Sequence, residues 1–467
     1  MKHIVLKELK ELMRDGRFKV ASLILVILLA LATFTGITQN ERHRIQYLES
    51  TQKERSIWES QGEKNPHSAA HYGTYAFKPQ FALSLLDYGV TKYTGNSIFL
   101  EAHNRNEAGF SEASDQTSLT RFGTLSINFV LLYIFPLIII LIGYSSYTKE
   151  KEHQTFTLLK SQGVKPVELA LGKWFAMFVP VIVCIAILFL IIGIVLSNFH
   201  DLKFFSWSGL FTLGLFYILY YMVIITMTLL VSMWSKSSGI SLVSSLVLWI
   251  TFSFITPKVA TNFANKNHPY PSKSEFITSI EEDKKNGLDG HNPWNEAAKQ
   301  LKEETLEKYG VDSVNQLPFN YDAYRMQKGE EHEAKTYEKH YDELNVIAQK
   351  QNMTYKRLSF ISPFIPLRFL SMDIANTSDK LHWEFTDAAE QYRIETQKFL
   401  NYDFKDNSKT GEWDYKMDAD TFKKLPEFEF VPPMLSQILV GNTQNILFLL
   451  LWLILPFGGL IFTSKKI

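Results

Sequence analysis

The sequence is almost without cysteine: of its 467 residues, only Cys184 is one. A lone thiol forms no intramolecular disulfide, so any folded part outside the cell is held by packing alone. Net charge is missing too, because 48 Lys and Arg balance 48 Asp and Glu. That removes the electrostatic basis for binding nucleic acid. A phosphate-binding loop is also lacking. The nearest fragment is Gly172-Lys173, but the glycine needed five residues before it is Val167, and Trp174 follows where Ser or Thr is required. The chain is therefore not expected to bind ATP by that route or to be an enzyme, and no catalytic residue or cofactor is assigned to it. His67 and His71 are spaced to share a helix face, but no HExxH pattern surrounds them and His103 is distant in sequence. They read as surface histidines, and no metal site is expected. The acidic runs Glu281-Glu282-Asp283 and Glu330-Glu331 read as solvated helix faces.

What the sequence does hold is long apolar blocks, concealed by a mean hydropathy near zero. Crossing a bilayer as a helix takes roughly 20 mostly apolar residues. Six segments qualify: 20–37, 127–147, 174–196, 209–233, 240–255 and 446–462. None of them contains Asp, Glu, Lys or Arg, which lowers the expectation of an ion-coupled carrier. Buried helices of a soluble core rarely stay uncharged for so long. The fold class expected is an all-α polytopic membrane protein with six transmembrane helices.

Basic residues set the orientation. They crowd the N-terminus (Lys2, Lys7, Lys10, Arg14, Arg17, Lys19), the loop after the second span (Lys149, Lys151, Lys160, Lys165, Lys173), the fourth-to-fifth loop (Lys236) and the 463–467 tail. With six spans all four fall on one side, so both termini are expected in the cytoplasm. Residues 1–19 place Val5, Leu9, Leu12 and Met13 on one face and charges on the rest. That pattern predicts an amphipathic interfacial helix, not a cleaved signal peptide. Two extracytoplasmic insertions follow, 38–126 and 256–445. The second reads as mainly helical, with helical composition over Asn295–Tyr309, Tyr321–Gln351 and Asp379–Leu400.

The informative loop is 148–173. It runs through a charged cluster, a short helix, a glycine turn at Gly163 and a second helix opened by Pro166. Its Glu150, Glu152, Thr155, Leu158 and Leu159, followed by Gly172-Lys173 entering the third span, resemble the coupling region of ABC-2 type transporter permeases. Gln154 stands where that family usually has glycine. Leu83-Ser84-Leu85-Leu86-Asp87-Tyr88-Gly89-Val90 and Ala388-Ala389-Glu390-Gln391-Tyr392-Arg393 are similar to the branch of that family with two large extracytoplasmic insertions of unknown function.

The resemblance implies a permease subunit coupling ATP hydrolysis by a separate cytoplasmic ABC ATPase dimer, which holds ATP and Mg, to translocation or export of a substrate. It implies pairing with a second permease, identical or related, and an ATPase contact over Glu150, Glu152, Thr155, Leu158, Leu159 and Gly163. Glu150 and Glu152 would pair with groups on the ATPase. Candidate substrate-path residues are Thr33, Thr35, Ser241, Ser244, Ser245, Asn442 and Asn445, although small residues also serve helix packing. Two alternatives stand beside transport. One is mechanical transmission to a periplasmic or outer-membrane partner without substrate passage. The other is a membrane-anchored enzyme or receptor.

Overall fold

The computed structural model describes residues 1–115, 125–198 and 204–466. The end of the first predicted insertion (116–124), residues 199–203 and the last residue of the tail lie outside them. The elements used below are α1 (Lys2–Arg14), α2 (Gly16–Glu59), α3 (Pro66–Tyr72), β1 (Thr74–Phe77), β2 (Ser97–Glu101) and β3 (Asn104–Arg105), followed by α4 (Ile127–Glu152), α5 (Thr155–Ser161), α6 (Pro166–Ser197) and α7 (Trp207–Trp234). After them come α8 (Ser238–Asn267), α9 (Lys273–Lys285), α10 (Glu296–Tyr309), α11 (Tyr321–Arg357), α12 (Phe364–Ile374), α13 (Asp379–Asn407), α14 (Leu435–Gly441) and α15 (Thr443–Lys466).

Six of these helices, α2, α4, α6, α7, α8 and α15, are long and apolar enough to cross a membrane. Their outer faces carry large apolar side chains with nothing packed on them, such as Phe34 at 72 % exposure and Ile454 at 64 %. In water such a girdle would aggregate; in lipid it is the ordinary surface. The chain is an all-α polytopic membrane protein. α7 is the axis of the bundle, packed against α4, α6, α8, α12 and α15.

Two spans change helical register, and proline explains where. Val130–Ile134 and Thr251–Ile255 are π-helical. A π-register carbonyl accepts from the N–H five residues on. For Leu131 and Phe252 that residue is Pro136 or Pro257, which has no N–H. Side chains from other elements take over: Tyr221 Oη donates to Leu131 O at 2.8 Å, and Ser362 Oγ donates to Phe252 O at 2.8 Å. The orphaned carbonyls are thereby satisfied in a medium without water.

Helices outrun the apolar segments. α2 has 44 residues and spans about 66 Å. It leaves the apolar zone near Ile37 and continues unbroken as Gln39-Asn40-Glu41 and beyond to Glu59. α8 likewise extends to Asn267 and packs on α11. These two stalks enter a head made of both insertions. Trp58, near the end of α2, lies edge-on to Phe422 at 5.4 Å and donates its indole N–H to Phe422 O at 3.1 Å. Lys64 and Met417 bridge the two insertions as backbone partners. A small antiparallel sheet, ordered β1-β2-β3 with Thr74 opposite Leu100, lies against α13. It is the one sheet among the described residues, and composition did not foretell it.

The head is seated on the bundle through Asp87, a fully buried carboxylate. Arg368 Nη1 reaches both of its oxygens at 2.7 Å, Ser371 Oγ donates at 2.5 Å, the Gly89 N–H donates at 2.9 Å, and Asn128 Nδ2 also donates. Tyr217 of α7 meets Ser371 at 3.1 Å. One acid thus joins the first insertion to α4, α7 and α12, and the several donors offset the cost of burying its charge.

Candidate functional site

The 148–173 segment lies at the end of the bundle remote from the Asp87 joint, beside α1. Its short helix α5 is anchored by Phe156, the buried residue of that turn. Leu159 is half-buried against the bundle core, and Leu158 stands 56 % exposed. Thr155, Thr157, Lys160 and Gly163 are also exposed. Two backbone positions shape this surface. Gly163 has φ +81°, a turn that glycine adopts without strain. Gln154 is also left-handed, with φ 60°, so the glycine expected by resemblance is replaced by a residue that pays a steric cost there.

The segment is fastened to four helices. Tyr147 N–H donates to Ser232 Oγ of α7 at 3.0 Å, and Lys151 Nζ donates to Met233 O. Glu152 accepts from Ser238 N–H at 2.7 Å and Ser238 Oγ at 2.8 Å, capping the start of α8. Lys173 Nζ of α6 reaches Glu150 Oε1 at 2.8 Å and both oxygens of Glu8 of α1 at 3.1 Å. Lys7 lies 3.0 Å from Glu8 and 3.6 Å from Glu150. Burial raises the Glu8 carboxyl, but the ammonium groups of Lys173 and Lys7 outweigh it and hold its pKa below the usual carboxylate range. Burial lowers Lys7 likewise, yet Glu8, Glu11 and Glu150 leave it raised. Gly172 allows this knot to form, since a Cβ there would meet Ile4 Cγ2 at 2.4 Å and push α1 off α6.

This geometry corrects the expected part of Glu150. It is buried and paired with Lys173, not presented on a surface. A carboxylate beside so many lysines reads as exposed in sequence, but the buried Lys173 ammonium required it inside. Glu152 is exposed yet occupied by the α8 cap. Lys7, Glu8 and Phe156 belong to the site and were not singled out from sequence. An acid on the apolar-facing side of α1 was the available signal for Glu8.

The substrate-path candidates have separate neighbours. Thr33 is half-buried on α2 with no hydroxyl partner among the described residues, and Thr35 bonds back to Leu31 O at 2.9 Å. Ser241 is buried and donates to Tyr144 O at 2.6 Å. Ser244 is half-buried, while Ser245 lines a cavity of about 20 Å³ between α4, α7 and α8. Asn442 donates to Asp373 Oδ2 and Asn445 to Asn442 Oδ1, each at 2.7 Å, which ties α15 to α12. The structure does not bring these residues to one site.

The family described as ABC-2 family transporter protein matches residues 90–266, which contain α4, α5, α6, α7 and nearly all of α8. A domain of unknown function (DUF3526) matches residues 273–431, most of the second insertion. No match was found among curated proteins or among solved structures. The chain thus carries, in order, an ABC-2 family transporter domain that holds the fastened loop between the second and third candidate spans, and a domain of unknown function after it.

Proposed function

We propose that this chain is the membrane subunit of an ATP-binding cassette transporter of a bacterial inner membrane, driven by separate ATPase subunits that dock on the α5 face. One observation carries the reading most. α5 presents Leu158 to solvent while its flanks are tied to α1, α6, α7 and α8, so a push on this face reaches four helices at once. Basic residues gather at this end, which favours the cytoplasmic side. ATP and Mg would be held by the ATPases, whose closure tilts the tied helices, and a second permease would complete the path.

Mechanical transmission without substrate passage draws support from the Asp87 joint, which connects the head to the bundle through α4, α7 and α12. Docking of an ATPase is common to both readings, and it is tested first. Charge reversal at Glu150 would break the Lys173 pair and confuse docking with folding, so Leu158→Arg is the informative change. The wild-type chain should retain an ATPase through solubilisation and purification from its native membranes. The variant should insert equally and retain at least about tenfold less, the loss of one central apolar contact. Undiminished retention and ATPase activity would remove α5 from the contact.

A further inference from the structure

The head brings four histidines together from distant parts of the chain. His67 and His71 lie on one face of α3, and their Nε2 atoms are 3.2 Å apart. His291, in the loop between α9 and α10, adds a third ring 5.2 Å from His67. One ring nitrogen of each of the three lies within 4.8 Å of the other two. His103, in the turn after β2, places its ring 4.5 Å from His291 and 5.2 Å from His71.

Three of the four stand on built structure. Asn65 caps α3, accepting from His67 N–H at 2.9 Å, while its amide donates to Trp413 O and Tyr415 O at 3.1 Å. Asp289 accepts the backbone N–H of His291 at 2.8 Å and fixes that loop. His103 Nδ1 faces Glu330 at 2.7 Å and Glu333 at 3.2 Å. Arg393 in turn holds Glu330 at 3.2 Å. With Nδ1 given to carboxylates, the nitrogen left for a ligand is Nε2, and it is buried with no partner among the described residues.

The spacing has a chemical meaning. Nitrogens about 2.0–2.1 Å from a tetrahedral zinc ion stand about 3.3 Å apart, and the His67–His71 pair is at 3.2 Å. An N–H···N hydrogen bond would account for that pair, but not for two more rings converging on it or for the stranded Nε2 of His103. Carboxylates behind a ligating imidazole, as Glu330 and Glu333 stand behind His103, orient it and raise its basicity. Imidazole suits zinc, copper and nickel, whereas calcium and magnesium prefer oxygen.

We propose that the head binds one divalent transition-metal ion of the zinc class through His67, His71 and His291, with the adjoining His103 as the fourth imidazole. The ion fastens the first insertion to the second. In a chain with a single cysteine it is the cross-link that a disulfide would otherwise supply. The proposal is independent of how the bundle is energised.

The test uses the full chain in detergent, stripped with a chelator and titrated with zinc chloride near pH 7.5, where His67, His71 and His291 are neutral and the ion displaces the proton of His103. The expected result is saturation at one ion per chain, a higher melting temperature, and an X-ray absorption first shell of nitrogens at about 2.0 Å. His67→Ala combined with His71→Ala should weaken binding at least about 100-fold. His291→Ala, a change in an exposed loop that leaves the fold intact, should weaken it about tenfold or more, and it decides the matter if the double variant misfolds. Absence of saturable binding, or binding unaltered by His291→Ala, would overturn the proposal.

Discussion

Two buried knots of charge stand at opposite ends of this molecule, and their difference separates two kinds of work. At the basic end Lys173 lies between Glu8 and Glu150, with Lys7 beside both acids. In the head Arg393 lies between Glu390 at 2.8 Å and Glu330 at 3.2 Å. Each places a cation of under 4 % exposure between two carboxylates. The first joins carboxylates to ammonium groups alone, and it binds helices together. The second continues from Glu330 to His103 and on to three more imidazoles, groups that exchange protons and take metal. The knot at the basic end is a fastener; the one ending in imidazoles is a ligand site with a fastener behind it.

Arg393→Met leaves Glu330 and Glu390 buried without their cation and should cost about 3–5 kcal/mol, read as the largest fall in melting temperature. Lys173→Met should cost less, about 2–3 kcal/mol, because Lys7 remains beside both acids. A greater loss at Lys173 would show that the two knots are not built alike.

Next comes pH, measured on chelated protein. Burial lowers His103, but Glu330 and Glu333 overcome it and raise its pKa to about 9. Its stabilisation is therefore full below pH 6.5 and is lost as pH rises toward 9. Burial depresses His67 and His382 to about 4, aided at His67 by the neighbouring imidazoles and at His382 by Lys78. Their neutral forms are favoured in the fold, so stability is lost as pH falls from 6.5 toward 4. Melting temperature should peak near pH 6.5, and His103→Gln should flatten the alkaline limb only. The smallest effect is at α5: Gln154→Gly relieves a left-handed residue and should be worth about 1 kcal/mol or less, seen as slower hydrogen exchange in that turn.

How much of this was legible depended on the range of the interaction. The spans were plain because lipid demands uninterrupted apolar runs, but their helical ends were not. Hydropathy marks where lipid stops, whereas helix continues wherever residues such as those of Glu41–Glu59 favour it. The strands escaped notice because two to five residues make too short a pattern. Lys173 was noticed as part of a motif, yet its role needs Glu8 from α1 and Glu150 from α4. His67 and His71 were noticed as a pair and set aside because His103 and His291 arrive only through the packing of both insertions.

On the proposed function the end bearing α5, not the head, meets the ATPase. A photo-crosslinking residue at position 158, and in a second preparation at position 294, where Trp294 is 81 % exposed on the head, tests it in native membranes. The expected result is an adduct containing an ABC ATPase from position 158 and none from position 294. An ATPase adduct from position 294, or none from position 158 while the complex remains intact, would contradict it.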